Sequence, residues 1–112
     1  MTQSDERFRD EILATHDWVL VDFSAPWCNL CHMLQPTLNR LAREWEGALE
    51  VVALDVDEHF GMARHYAVQT VPTLVLFHDG VEVERLSHFR NREDLLSRCN
   101  QLMRSRSRLT AS

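Results

Sequence analysis

The segment Trp18-Val19-Leu20-Val21-Asp22-Phe23 is apolar on both faces, and a short gap separates it from a long stretch of helical period that opens on Cys28. A run of this kind reads as a central strand covered on both sides, since a half-exposed strand would alternate apolar and polar residues. In the stretch that follows, Cys31, Leu34, Leu38, Leu41, Ala42 and Trp45 share one stripe, while Asn39, Arg40, Arg43, Glu44 and Glu46 lie opposite. Pro36 sits inside this helix and should kink it, and Gly47 ends it. A buried strand feeding an amphipathic helix calls for a sheet with helices packed on its faces.

The rest of the chain fits that frame. Ser4 can cap a short helix reaching Thr15, with Phe8 and Ile12 on its inner face. Glu50 to Val56 reads as a second strand, and His59 to Tyr66 as a short helix weakened by Gly61. Thr73 to Phe77 is a third strand, Asp79-Gly80 a hairpin signal, and Val81 to Leu86 an alternating edge strand. Asn91 opens a last helix with Asp94 placed as in a capping box, and Leu95, Leu96, Cys99, Leu102 and Met103 form its inner stripe. Strands alternating with helices predict an α/β fold, with a mixed, mostly parallel sheet of about four strands flanked by helices. Residues 1–103 form one domain on this reading, and residues 104–112, which alternate Ser and Arg, form a disordered tail.

Composition limits the function. The 112 residues are 45% apolar, enough for a core that needs no disulfides or metal. A net charge of −5 argues against nucleic acid as a partner. Every basic side chain is Arg, so lysine chemistry is excluded. The chain opens on acidic residues and has no apolar stretch of membrane-spanning length, so a cytoplasmic protein without a membrane partner is expected. Three cysteines are too few for a disulfide scaffold. In a reducing compartment a close pair is catalytic or metal-binding.

That pair is Cys28 and Cys31, set where the central strand gives way to the helix. The first turn of a helix has free N–H groups and a positive dipole end, which favour a thiolate. Cys28 is expected to be exposed to attack, with Cys31 shielded three residues on to resolve a mixed disulfide. Leu30, unlike a proline, has a backbone N–H that would reach the Cys28 sulfur. Asp22 is the anomaly of the strand: it either reaches solvent at the strand end or is a buried proton carrier.

With Val21-Asp22-Phe23, Trp27-Cys28, Cys31, Pro36, Val71-Pro72-Thr73-Leu74, Phe77 and Gly80 in this order, the chain resembles the thioredoxin family from Trp18 to Met103. The resemblance implies a thioredoxin fold and a thiol–disulfide oxidoreductase, in the simplest case a disulfide reductase that needs no bound cofactor or metal. It makes Cys28 the nucleophile, Cys31 the resolving thiol and Asp22 the base serving Cys31. Pro72 would be cis and face the pair. Trp27, Asn29, Leu30, Val71, Thr73 and His88 would join Pro72 in the substrate surface. Disulfide-containing protein substrates, an upstream thiol reductant or reductase, and a monomer are implied.

The departures from the family are specific. Asn29-Leu30 replaces the usual Gly-Pro, Ser24 an aromatic, Ala53 a Lys near the buried acid, and His88 a Gly on the loop beside the site. The family's first strand is expected to be short or missing. Cys28-Asn29-Leu30-Cys31-His32 also matches a c-type haem attachment motif, and zinc could take both cysteines with two further ligands. Neither reading uses the strand–turn–helix context or the Val71-Pro72-Thr73 segment. A stronger rival is an adaptor or chaperone that binds a partner through the apolar mouth of Trp27, Leu30 and Met33.

Overall fold

The computed structural model describes residues 8–14 and 17–105. Its strands are β1 (Trp18–Ser24), β2 (Glu50–Asp55), β3 (Thr73–His78) and β4 (Val81–Leu86), and its helices α1 (Asn29–Glu44), α2 (Phe60–His65) and α3 (Arg92–Ser105). A single π-helical turn, Phe8–Leu13, precedes β1. Among the described residues no strand comes before Trp18.

The strands form one sheet in the order β2-β1-β3-β4. Period-two alternation sends the odd and even positions of β1 and β3 to opposite faces. Leu20, Leu74 and Leu76 face Leu34, Leu38 and Leu41 of α1 and Leu95, Cys99 and Leu102 of α3. Val19, Val21, Phe23, Val75 and Phe77 face the N-terminal turn and Met62 of α2. Asp22 therefore lies on the α1 and α3 face, two residues on from Leu20. The predicted stripes hold except at Ala42, which is exposed near the end of α1.

The expected mostly parallel sheet is corrected. Only β1 and β2 are parallel; β1 with β3 and β3 with β4 are antiparallel. β3 starts at the end of the sheet where β2 stops and runs back alongside β1. Asp55 pairs with Ser24, and Thr73 pairs with Phe23.

The N-terminal turn also differs from expectation. Its buried residues are Phe8 and Leu13, with Ile12 only partly covered. Five-residue spacing is what the wider π-helical turn brings onto one face. Ser4 and Thr15 lie outside the described residues. α1 runs through Pro36, and Trp45 closes it by donating to the Leu41 carbonyl at 2.9 Å. α3 includes Arg104 and Ser105, so its helix extends into the predicted tail; residues 106–112 lie outside the described residues. Its cap is a shifted box: Asn91 Oδ1 accepts from Asp94 N–H at 2.8 Å, and Asp94 Oδ2 accepts from Arg90 N–H at 3.0 Å.

The β3–β4 hairpin turns on Asp79 and Gly80, with φ of 51° and 82°. Both are left-handed, as a tight hairpin that follows the sheet's twist requires. A Cβ on Gly80 would meet only the Leu13 carbonyl, at an ordinary 3.8 Å. Gly80→Ala should therefore cost only its backbone conformation, about 1–2 kcal/mol. The urea midpoint should fall accordingly, and an unchanged midpoint would show that the turn does not hold this conformation.

Candidate active site

The site is at the end of the sheet where β1 and β2 finish and β3 begins. Cys28 is the N-cap of α1, with extended backbone (φ −95°, ψ 114°). Its Sγ accepts a hydrogen bond from the Cys31 N–H at 3.2 Å. The sulfur thus does what a Ser or Asp side chain does at an N-cap. The donor expected from sequence was the Leu30 N–H. An N-cap side chain bonds the second or third helical N–H, and here the third, Cys31, is chosen. A proline at position 30 would therefore remove no donor from Cys28. The first turn of α1 carries no acidic residue to oppose a thiolate there.

Both cysteines are free thiols. The expected contrast in exposure is not found: Cys28 is 7% and Cys31 3% exposed, packed with Ala25 against Leu30, Val56 and Val71. The two differ electrostatically. Burial first, then the hydrogen-bonded Cys28, pushes the Cys31 thiol well above its ordinary range.

Asp22 is fully buried. Its Oδ2 accepts from the Gln35 side-chain amide at 3.3 Å, and its Oδ1 has no partner among the described residues. Burial pushes its carboxyl from an ordinary 3.8 up to about 7, against the lowering effect of Gln35. Its cross-strand neighbour on β2 is Ala53, which offers no charge. Of the two sequence readings, solvent contact at a strand end is ruled out.

Val71-Pro72 is a cis peptide, and Val71 packs on the cysteine cluster. Thr73 is buried, its hydroxyl donating to the Thr70 carbonyl at 2.6 Å. Asn29 is exposed and Leu30 half-buried. Trp27 is 70% exposed, and its indole N–H donates to Asp57 Oδ2 at 3.2 Å. His32 Nε2 lies 2.7 Å from the Pro26 carbonyl. His88 is exposed with φ of 57°, a left-handed conformation at the position where the resemblance leads one to expect Gly. Leu86 pairs with Leu74, which puts the β4 end, and His88 beyond it, at the same end of the sheet as Pro72.

Two clefts adjoin the pair. One, of about 250 Å³, is lined by Trp27, Val56, Asp57, Phe60 and Val71 among others. The other, of about 260 Å³, is lined by Ser24, Pro26, Cys31, His32, Gln35 and Asp55, with Ala25. Sequence reasoning missed Gln35, Asp57 and Phe60. Gln35 stands one helical turn after Cys31, a spacing that does not by itself tell it from a solvated amide. Among the described residues no group of His, Cys, Asp or Glu is arranged to hold a metal ion.

A capping cysteine, a second buried cysteine in the first turn, and a cis-proline loop packed on both make a dithiol–disulfide exchange site on an α/β sheet. The thioredoxin family model matches residues 1–101. The chain is 38% identical to thioredoxin 1 of Nostoc sp. over 81 residues, covering 72% of this chain and 76% of that one. It is 43% identical to a thioredoxin of Staphylococcus aureus over 76 residues, covering 68% and 73%. The solved oxidised form of mitochondrial thioredoxin 3 from Saccharomyces cerevisiae superposes with a TM-score of 0.71 at 32% identity, covering 82% and 84%. The chain belongs to the thioredoxin family. It is a thiol–disulfide oxidoreductase with disulfide reductase activity.

Asp22 makes stability depend on pH. Between about pH 4 and 7 the folded protein keeps a proton that the unfolded chain loses. Stability should therefore fall as pH rises through that window. A carboxyl held at about 7 instead of 3.8 costs the fold as much as about 4 kcal/mol once ionised. Asp22→Asn should remove the slope and be the more stable protein above pH 7. Urea titrations of both proteins at pH 4, 5.5 and 7.5 test this; a level wild-type profile would mean that Asp22 is not held protonated.

Proposed function

We propose that Cys28 attacks a substrate disulfide as a thiolate and that Cys31 resolves the resulting mixed disulfide. Cys31 gives its proton to Asp22, its thiolate attacks the Cys28 sulfur, and the Cys28–Cys31 disulfide forms as the reduced substrate leaves. The observation that carries this reading is the Cys28 sulfur at the entrance of α1, held at 3.2 Å from the Cys31 N–H. Trp27, Asn29, Leu30, Val71, Pro72, Thr73 and His88 form the substrate surface. Substrates are disulfide-containing proteins, and an upstream thiol reductant or reductase restores the dithiol. The chain works as a monomer in the cytoplasm, as a single domain. No helix among the described residues is long and apolar enough to cross a membrane.

With a chemical reductant present, the wild type should turn over a protein disulfide. Cys28→Ser should show no turnover above the reductant alone, and Cys31→Ser should accumulate a mixed disulfide detectable by mass. The exposed Trp27, Phe60 and Met33 around the mouth also suit a partner-binding adaptor. Full activity in Cys28→Ser would overturn the exchange mechanism, whereas partner capture that survives in this variant would favour the adaptor.

A second test concerns His88. Its imidazole takes the place of a glycine beside the pair, so the site should fit a standard thioredoxin reductase poorly. His88→Gly should raise the rate of reduction by that enzyme several-fold. Equal rates for the two proteins would remove His88 from the docking surface.

A further inference from the structure

The Asp22 carboxyl is held at one oxygen only. Gln35 comes from α1, one turn beyond Cys31, and its amide donates to Oδ2 at 3.3 Å. Oδ1 is buried and has no partner among the described residues. Cys31 and Gln35 both line the cleft of about 260 Å³, which opens between Ser24, Pro26 and His32. A water occupies about 30 Å³ of liquid, so the cleft is roomy enough for a chain of waters beside polar walls. We propose that Gln35 is a positioning residue for proton transfer: it fixes Oδ2 of Asp22, leaves Oδ1 to take the Cys31 proton, and stands where that proton leaves through the cleft. The inference rests on the reading of Asp22 as the base for Cys31.

The surroundings give Gln35 this role by exclusion. β2 presents Ala53 across from Asp22, and β3 presents Leu74, so neither residue opposite it offers a side-chain donor or a charge. From the helices, the titratable groups that interact with Asp22 are Cys31 of α1 and Cys99 of α3. Both are buried thiols, and burial pushes Cys99 up to about 11. His32 and Asp55 line the same cleft. Gln35 is thus the polar group that can favour the ionised carboxylate without contributing a charge of its own.

Resolution can be written in balance. The Cys31 S–H gives its proton to Asp22 Oδ1. The Cys31 thiolate then bonds to Cys28 Sγ and breaks the Cys28–substrate S–S bond. The two electrons of the dithiol leave on the substrate sulfur, which is protonated by solvent. Asp22 afterwards loses its proton through the cleft. A donor fixed on Oδ2 lowers the pH at which Asp22 becomes competent to accept.

The test compares the full-length wild type with Gln35→Met, which keeps the length of the side chain and removes its donor, and with Gln35→Lys, which restores one. Asp22 ionisation is followed by carbon NMR of the reduced protein, and mixed-disulfide resolution by stopped flow across pH. A hydrogen bond to a charged group is worth about 1.5–3 kcal/mol, so Gln35→Met should raise both midpoints by about one pH unit or more. Gln35→Lys should return them to the wild-type value or below. Asp22→Asn should remove this midpoint from the resolution profile and leave only the titration of Cys31 at higher pH. Midpoints that stay in place in Gln35→Met while Asp22→Asn removes its own would overturn the role of Gln35 alone. An unchanged pH dependence in Asp22→Asn would overturn the reading of Asp22, and this inference with it.

Discussion

β1 is paired along both edges, in parallel with β2 and antiparallel with β3. Its last residues, Phe23 and Ser24, meet the start of β3 and the end of β2. Three chain segments therefore converge at one end of the sheet: the loop to Cys28, the loop through Asp57 and the loop through Pro72. That convergence is what lets the Trp27 indole reach Asp57 and Val71 pack on the cysteine cluster. No contact between the site loops has to create this arrangement, because the ladder of the sheet imposes it. Sites in open α/β sheets gather at strand ends for the same reason.

The same strand carries a group that works against folding. Total stability of a domain is typically about 5–15 kcal/mol, so an ionised Asp22 takes a substantial part of it. Val21, Phe23, Leu34, Phe77 and Leu95 are at most 1% exposed. Each such side chain contributes about 1.5–3 kcal/mol by burial, which leaves room for one unfavourable carboxyl. Cys99, by contrast, behaves as a small buried apolar side chain on the inner stripe of α3. Nothing in the packing requires an acid at position 22, and an amide or apolar residue would fold better there. A destabilising group at the centre of a well-packed sheet, beside a redox pair, points to chemistry as the reason for its presence.

Much of this was legible in the sequence because periodicity reports burial directly. The two-faced run at Trp18 to Phe23, the α1 stripe and the Asp79-Gly80 turn each depend on one local rule. The direction of β3 was not legible from alternation alone, since a connection of this length with a helix in it is compatible with either direction. The N-terminal turn escaped because Phe8 and Ile12 satisfy an α-helical spacing, while the structure buries Phe8 and Leu13. At the site, residue types and order singled out the pair, the acid and the proline loop as candidates. Hydrogen bonds depend on distances of a few tenths of an ångström, so the sequence could not choose between the Leu30 and Cys31 N–H groups. Gln35 went unread for a related reason: a polar residue on a helix flank has no periodic signature that separates a solvated amide from one aimed at a buried carboxyl.

The two thiols are distinguished by their surroundings more than by access. Both are nearly covered, so an argument from exposure would assign them similar reactivity. The sulfur of Cys28 sits at the positive end of a sixteen-residue helix and accepts an N–H from it. The sulfur of Cys31 lies one turn inside, where burial and its neighbour both oppose a second negative charge. A proton on Cys31 is thus the arrangement the site favours before a substrate arrives. On the proposed mechanism, the influence of Cys28 that helps hold the proton on Cys31 is weakened once Cys28 is tied up in a mixed disulfide. Burial remains, and so does the need for a base that reaches the same pocket. On the proposed mechanism Asp22 accepts that proton, because desolvation has already brought its affinity for a proton towards that of a thiol.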